Sequence, residues 1–207
     1  MTVTRDHRIA VVGEATRKVM PDRVRWSATV QAVGITEAAA FDPCSLHADE
    51  VIRALRAVAT ADGDVSTSHM RVQPRWDSER SRYSGFEASS TISVESTSDL
   101  AGRLAQAILT AGASRLVGPS FLVSNPEAVE RELLPEALAA AQAKASILSV
   151  AAARQLGRVV SVAEPSASAG EIYGVRQLAA DYSAGPDVVA EALPISVALA
   201  VVFELSD

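Results

Sequence analysis

Catalysis and metal binding need nucleophiles, proton acceptors or ligating side chains that can converge, and this chain of 207 residues is poor in them. It contains three histidines and one cysteine. His7 stands near the start, His47 in a helical stretch and His69 in a strand candidate; only His47 has carboxylates close by, in Asp49 and Glu50. His47 and Glu50 are three apart, so a helix would place them on one face. Two such ligands leave a metal ion short of donors, and a solvated helix face is the preferred reading. No cofactor and no metal is expected.

Cys44 has no second cysteine, which excludes an intrachain disulfide and a C-x-x-C motif. A helix start beside it would lower its pKa and favour redox chemistry. The plainer reading, a small buried hydrophobe, is preferred. There is no G-x-S-x-G elbow and no histidine in a triad context, and no Gly-rich phosphate loop. The expectation is a protein that is not an enzyme, with no catalytic residue.

One segment does combine charge with aromatic surface. Between Arg71 and Tyr83 the chain carries Arg71, Arg75, Arg80 and Arg82 beside Trp76 and Tyr83. Such a set can hold single-stranded nucleic acid by charge and stacking. Here Asp77 and Glu79 dilute it, and the whole chain has a net charge of -6, so no nucleic-acid partner is expected. Trp and Arg are also frequent anchors of protein interfaces. Arg75, Trp76, Tyr83 and Phe86 are therefore the expected interface residues, meeting a neighbouring subunit or another protein.

The elements that position these residues follow from periodicity. Ile9 to Val19 is rich in β-branched residues, and after Pro21-Asp22 the row Val24, Trp26, Ala28, Val30, Ala32 alternates with polar neighbours, which predicts a hairpin with one buried face. Val51, Leu55 and Val58 mark a helix that Asp62-Gly63 would stop, with Asp42-Pro43 as N-cap and first position. Residues Thr36 to Phe41 would then form a separate turn or a short helix before it. Val65 to Trp76 and Phe86 to Glu95 predict a second hairpin. A second helix carries Leu100, Leu104, Ile108 and Ala111 on one face and ends at Gly112.

Leu116 to Val123 reads as a strand, and Asn125-Pro126 as the cap and first turn of a third helix that Pro135 restarts. Its narrow stripe of Leu138, Ala141, Ala145, Leu148, Ala152 and Leu156 runs to Gly157, and its small residues permit close packing. Arg158 to Ala163 is a short strand. Glu164 to Leu193 is a long irregular stretch, expected to be mobile or to pack on another chain. The terminal alternation from Ile195 to Leu205 is the strongest strand signal and belongs inside a sheet. The expected fold is α+β, with antiparallel or mixed hairpins and three main helices on one face. It is read as one domain over 1–207, with two interlocked lobes, 1–95 plus 194–207 and 96–193, as its subdivision.

Hydrophobic residues make up 48% and charged residues 21%, which excludes wholesale disorder. No run approaches the roughly 20 apolar residues of a membrane span. Met1 to Arg8 reads MTVTRDHR, unlike a basic start followed by an apolar run, so a cytoplasmic location is expected, or a periplasmic or secreted one if a leader has been trimmed.

The strings IAVVGEA before Pro21-Asp22, DVSTSHMRVQP leading to SGFEASSTISV, the glycine after the second helix, the alanine-rich third helix ending QLG and the terminal VALAVVFEL together resemble the SIMPL-like family over nearly the whole chain. Ala15 stands where that family has a glycine, and Pro43 interrupts a helix it usually keeps continuous. The resemblance implies oligomer-forming proteins, often exported and connected with envelope or oxidative stress, without an established common reaction. The leading expectation is thus a non-enzymatic homo-oligomer acting by assembly or partner binding. The alternative is an enzyme or small-ligand carrier with a pocket under residues 164–193.

Overall fold

The structure, a computed structural model, describes residues 7–59, 64–77, 82–164 and 190–206. In chain order the elements are β1 (Arg8–Val19), β2 (Arg23–Gly34), α1 (Glu37–Val58), β3 (Asp64–Asp77), β4 (Arg82–Thr97), a 3-10 turn (Ser98–Leu100), α2 (Ala101–Thr110), β5 (Arg115–Leu122), α3 (Pro126–Ala151), β6 (Gln155–Ala163) and β7 (Leu193–Ser206). The fold is α+β, with three helices and two antiparallel sheets among the described residues. Two compact units divide the chain: β1, α3, β6 and β7 form one, and β2 to β5 with α1 and α2 form the other. The lobe boundary drawn from sequence at residue 95 falls inside the unbroken strand β4.

In the first unit β7 is the central strand, in the order β1-β7-β6, as its strong alternation requires. Val197, Leu199, Val201 and Phe203 of β7 and Val11 and Ala15 of β1 are buried against Leu133, Ala137, Ala141 and Ala145 of α3. That helix lies unusually near the sheet. A Cβ placed on Gly13 would stand 2.1 Å from the carbonyl oxygen of Ala137 and 2.4 Å from the amide nitrogen of Ala141, so helix backbone rests on strand backbone. The ammonium of Lys144 donates to the carbonyl of Val12 at 3.3 Å, and the guanidinium of Arg17 binds Glu132 and Glu136, one turn apart on α3.

The second unit has the strand order β3-β4-β2-β5. Val24, Trp26, Ala28 and Val30 of β2 and Ala88, Ile92 and Val94 of β4 point to one face. There they meet Ala40, Cys44, Ala48, Val51 and Leu55 of α1 and Leu104 and Ile108 of α2. The indole of Trp26 donates to the carbonyl of Ala101 at 3.1 Å, which satisfies a donor that burial would otherwise leave costly. Gly112, at φ +81°, ends α2 as expected.

Several local expectations are corrected. β1 and β2 do not form a hairpin: β1 pairs with β7 from Arg8↔Glu204 to Val19↔Leu193, and β2 pairs with β4 and β5. Alternation reveals which face of a strand is buried, not which strand lies beside it. Pro43 is not a first position but lies inside α1. Thr36 caps that helix, its hydroxyl accepting from the amide of Ala39 at 3.2 Å, and the alanines after it carry the helix through the proline.

Pro135 does not restart α3, which runs unbroken from its cap at Asn125, where the side chain accepts from Ala128 at 3.1 Å. The buried stripe of α3 begins at Leu133 and Ala137, while Leu138 is half-buried and Leu148 exposed. The residue that leaves the helix is Ala153, at φ +54°; Leu156 and Gly157 belong to β6. Asp62-Gly63 and residues 165–189 lie outside the described residues.

The backbone contact at Gly13 predicts a graded result. Gly13→Ala should lose about 3 kcal/mol or more, because its methyl would collide with main-chain atoms that cannot rotate away. Gly112→Ala, where no atom lies within 4 Å, should lose only the left-handed penalty of about 1 kcal/mol. Urea unfolding of both variants reads the difference, and equal midpoints would refute it.

Candidate functional site

The four expected interface residues lie together at one end of the β3–β4 hairpin. β2 ends at Gly34, opposite Phe86, but β3 and β4 continue through Pro74↔Phe86 and Trp76↔Tyr83 to Asp77↔Arg82. Beyond Phe86 the sheet is therefore two strands wide, an arm with no third strand to support it. Isolated two-stranded ribbons are marginal in water, and this one exposes its largest side chains: Trp76 is 64% exposed and Tyr83 46%.

Phe86 is half-buried and packs against the core of the second unit. Its ring meets that of Tyr83 edge to face, with centroids 5.5 Å apart at 82°, so the arm is anchored at its root by an aromatic pair. Partial desolvation, with the carboxylate of Glu37 adding to it, raises the Tyr83 hydroxyl above its ordinary pKa. Where the β3–β4 register slips between Pro74 and Trp76 the extra residue is on β4: Arg75 stands opposite Ser84 and Gly85, the latter at φ +109°. The side chain of Arg75 is exposed, and its carbonyl accepts from the hydroxyl of Ser84 at 3.1 Å.

The residues that might have carried chemistry are dispersed. His7 precedes β1, His47 lies on α1 and His69 on β3. Among the described residues no group of three His, Cys, Asp or Glu side chains is placed to hold a metal. Cys44 is in the interior of α1 rather than at its start. Fully buried against β2, its thiol points at the carbonyl of Val30 at 3.8 Å, and desolvation raises its pKa, the reverse of what a reactive thiol requires.

Three features were not read from sequence. The carboxylate of Asp22 accepts from both the amide and the hydroxyl of Ser124, while the Asp22 carbonyl accepts from Ser98 at 3.0 Å. These bonds from Ser124 hold the Asp22 pKa below its ordinary value of 3.8. The hydroxyls of Ser90 and Ser96 are buried with no hydrogen-bond partner among the described residues. The third feature is an open groove of about 760 Å³ in the first unit, walled by Leu134 and Leu138 of α3 and by Val162 and Leu199, with Arg131 and Glu164 at its rim. It exists because α3 covers β1 and β7 but stops short of β6. Val159 and Val162 remain 45% and 48% exposed although their cross-strand neighbours Phe203 and Val201 are buried.

The geometry describes a two-unit α+β protein in which a projecting aromatic arm, rather than a cluster of reactive groups, is the most conspicuous surface feature. The chain belongs to the SIMPL family: the family's sequence model, described as a protein of unknown function (DUF541), matches residues 9–203. Two similar proteins are the 26 kDa periplasmic immunogenic proteins of Brucella melitensis biotype 1 and of Brucella abortus strain S19. Each is 28% identical over 172 residues, covering 79% of this chain and 68% of the relative. No helix among the described residues is long and apolar enough to cross a membrane.

Two measurements follow. Because the folded-state pKa of Asp22 is depressed, its contribution is present above the ordinary carboxylate value and is lost as pH falls through the lower folded value. Asp22→Asn should cost about 1 kcal/mol near neutrality, a modest amount because the carboxylate is exposed. The gap to wild type should close at acid pH, and a gap independent of pH would contradict the assignment. Cys44 in the native protein should react with a thiol reagent at pH 8 far more slowly than in urea; equal rates would show that its burial is transient.

Proposed function

We propose that the protein is a non-catalytic, self-associating member of its family, in which Trp76, Tyr83 and Arg75 on the hairpin arm meet another subunit while Phe86 roots the arm. The observation that carries this reading is the arm itself. It extends past the end of β2 with a tryptophan 64% exposed at its side, and large aromatic surface in that setting favours a partner over water. The edge position of β3 adds unpaired backbone groups along the same element. The bulge opposite Arg75, which twists the ribbon locally, and the proline at 74, which has no N–H to offer, discourage indiscriminate pairing along that edge and favour a defined contact over aggregation.

The Brucella relatives are named as periplasmic proteins, which favours an exported setting for this chain over the cytoplasmic one expected from its first residues. A stress-related role draws on the family resemblance alone. The alternative reading, a carrier of a small apolar ligand, is supported by the groove beside Glu164. Native mass spectrometry would reveal a co-purified molecule if that reading holds.

If Trp76 anchors an interface, Trp76→Ala should weaken self-association by about 2 kcal/mol, roughly thirtyfold in dissociation constant. Light scattering across a dilution series at matched folded concentration reads the shift. A wild-type protein that is monomeric at micromolar concentration, or an assembly indifferent to the substitution, would overturn the proposal.

A further inference from the structure

We infer that the groove of the first unit is the receptor for the aromatic arm of a second copy, so that self-association is head to tail: Trp76 and Tyr83 of one chain enter the space between α3 and β6 of the next. The inference deepens the assembly reading and rests on it. Three complementarities support it. The first is size and polarity. A groove of about 760 Å³ walled by Leu134, Leu138, Val162 and Leu199 falls within the range of about 300–1,000 Å³ that takes up aromatic groups the size of an indole and a phenol.

The second is charge. The arm carries the exposed guanidinium of Arg75. The groove rim carries Glu164, and Glu127 lies one turn before Arg131 on the same side of α3, while Arg131 is turned back, its Nε donating to the carbonyl of Glu127 at 3.3 Å. Arg75 of the arm and Glu164 of the rim thus supply one pair of opposite charges across the contact. The third is hydrogen bonding. Pro135 lines the groove and lies inside α3; having no N–H, it gives nothing to the carbonyl of Arg131, the acceptor four residues before it. The indole N–H of Trp76 is a donor of the kind that acceptor lacks.

Because arm and groove are different surfaces, the contact is heterologous, and repetition of it closes a ring or extends a filament rather than stopping at a two-fold dimer.

The test uses the full chain with Cys44→Ala as background. Chains bearing Ser84→Cys, which leaves the aromatic side chains of the arm in place, and chains bearing Val162→Cys, one of them isotopically heavy, are mixed under mild oxidation and analysed by mass spectrometry, with assembly mass followed by light scattering. A heavy–light disulfide that forms only in the mixture, together with association weakened about tenfold or more by Val162→Asp, is the expected result. An assembly that gives no such disulfide and tolerates Val162→Asp would overturn the groove as receptor while leaving the assembly reading intact; a monomer would overturn both. A disulfide formed within one chain carrying both cysteines, at a rate independent of concentration, would make the chain's own arm the occupant and refute the second copy. A small molecule that co-purifies and is released by Val162→Asp would likewise refute it. Arg75→Glu supplies a charge readout: it should weaken association, and Glu164→Arg on the partner chains should restore it.

Discussion

The first unit is organised around the contact between two backbones, α3 on β1, at a position where no side chain fits. Gly13 lies so near Ala137 and Ala141 that the helix axis is drawn down onto the β1–β7 pair. At that separation only alanine can occupy the helix face opposite the strand, which is why the buried stripe reads Ala137, Ala141, Ala145. The larger residues Leu134 and Leu138 are displaced to the flank, where they wall the groove instead of filling the core. Arg17 and Lys144 then hold the helix from its two sides. These polar contacts are exposed and individually worth little; they orient an arrangement that dispersion and apolar burial maintain.

The second unit solves a different problem. Its four strands bury one face beneath two helices, and the larger side chains, Trp26, Leu55, Ile92, Leu104 and Ile108, fill the layer between. The opposite face is polar: Ser27 faces Ser93, Thr29 faces Thr91, and the ion pair of Arg25 with Glu95 lies across the same two strands. One-sided burial makes register unambiguous where the helices lie. Beyond Phe86 no third strand among the described residues pairs with the hairpin, and the same alternation that specifies a core further down presents Trp76 and Tyr83 to the surroundings. A surface for binding and a layer for stability are thus consecutive parts of one hairpin.

Several side chains with reactive groups are buried or dispersed among the described residues. The thiol of Cys44 is desolvated in the core, the hydroxyls of Ser90 and Ser96 are buried with no hydrogen-bond partner among the described residues, and His7, His47 and His69 are carried by separate segments. Asp22, the most strongly hydrogen-bonded carboxylate in the second unit, is committed to Ser124 and so stabilises a connection.

The sequence by itself determined the order and type of the seven strands and three α-helices among the described residues, because periods of two and of about 3.6 residues are local properties of the chain. It also determined the family, the caps at Asn125 and Gly112, and the grouping of Arg75, Trp76, Tyr83 and Phe86, which follows from a hairpin that closes on itself. Tertiary structure alone decided that β1 leaves β2 and joins β7 some 180 residues away (the Thr16–Ser196 hydroxyl pair spans that separation), since the pairing of backbones carries no side-chain code beyond the buried face. It decided that α1 and α3 pass through Pro43 and Pro135, where packing along the whole helix outweighs one lost hydrogen bond. And it decided that Ala137, Ala141 and Ala145 of α3 would be buried while Leu134 and Leu138 stand at the edge, because the distance between helix and sheet there is set by Gly13, a residue more than a hundred positions distant in the chain and brought beneath α3 only by folding.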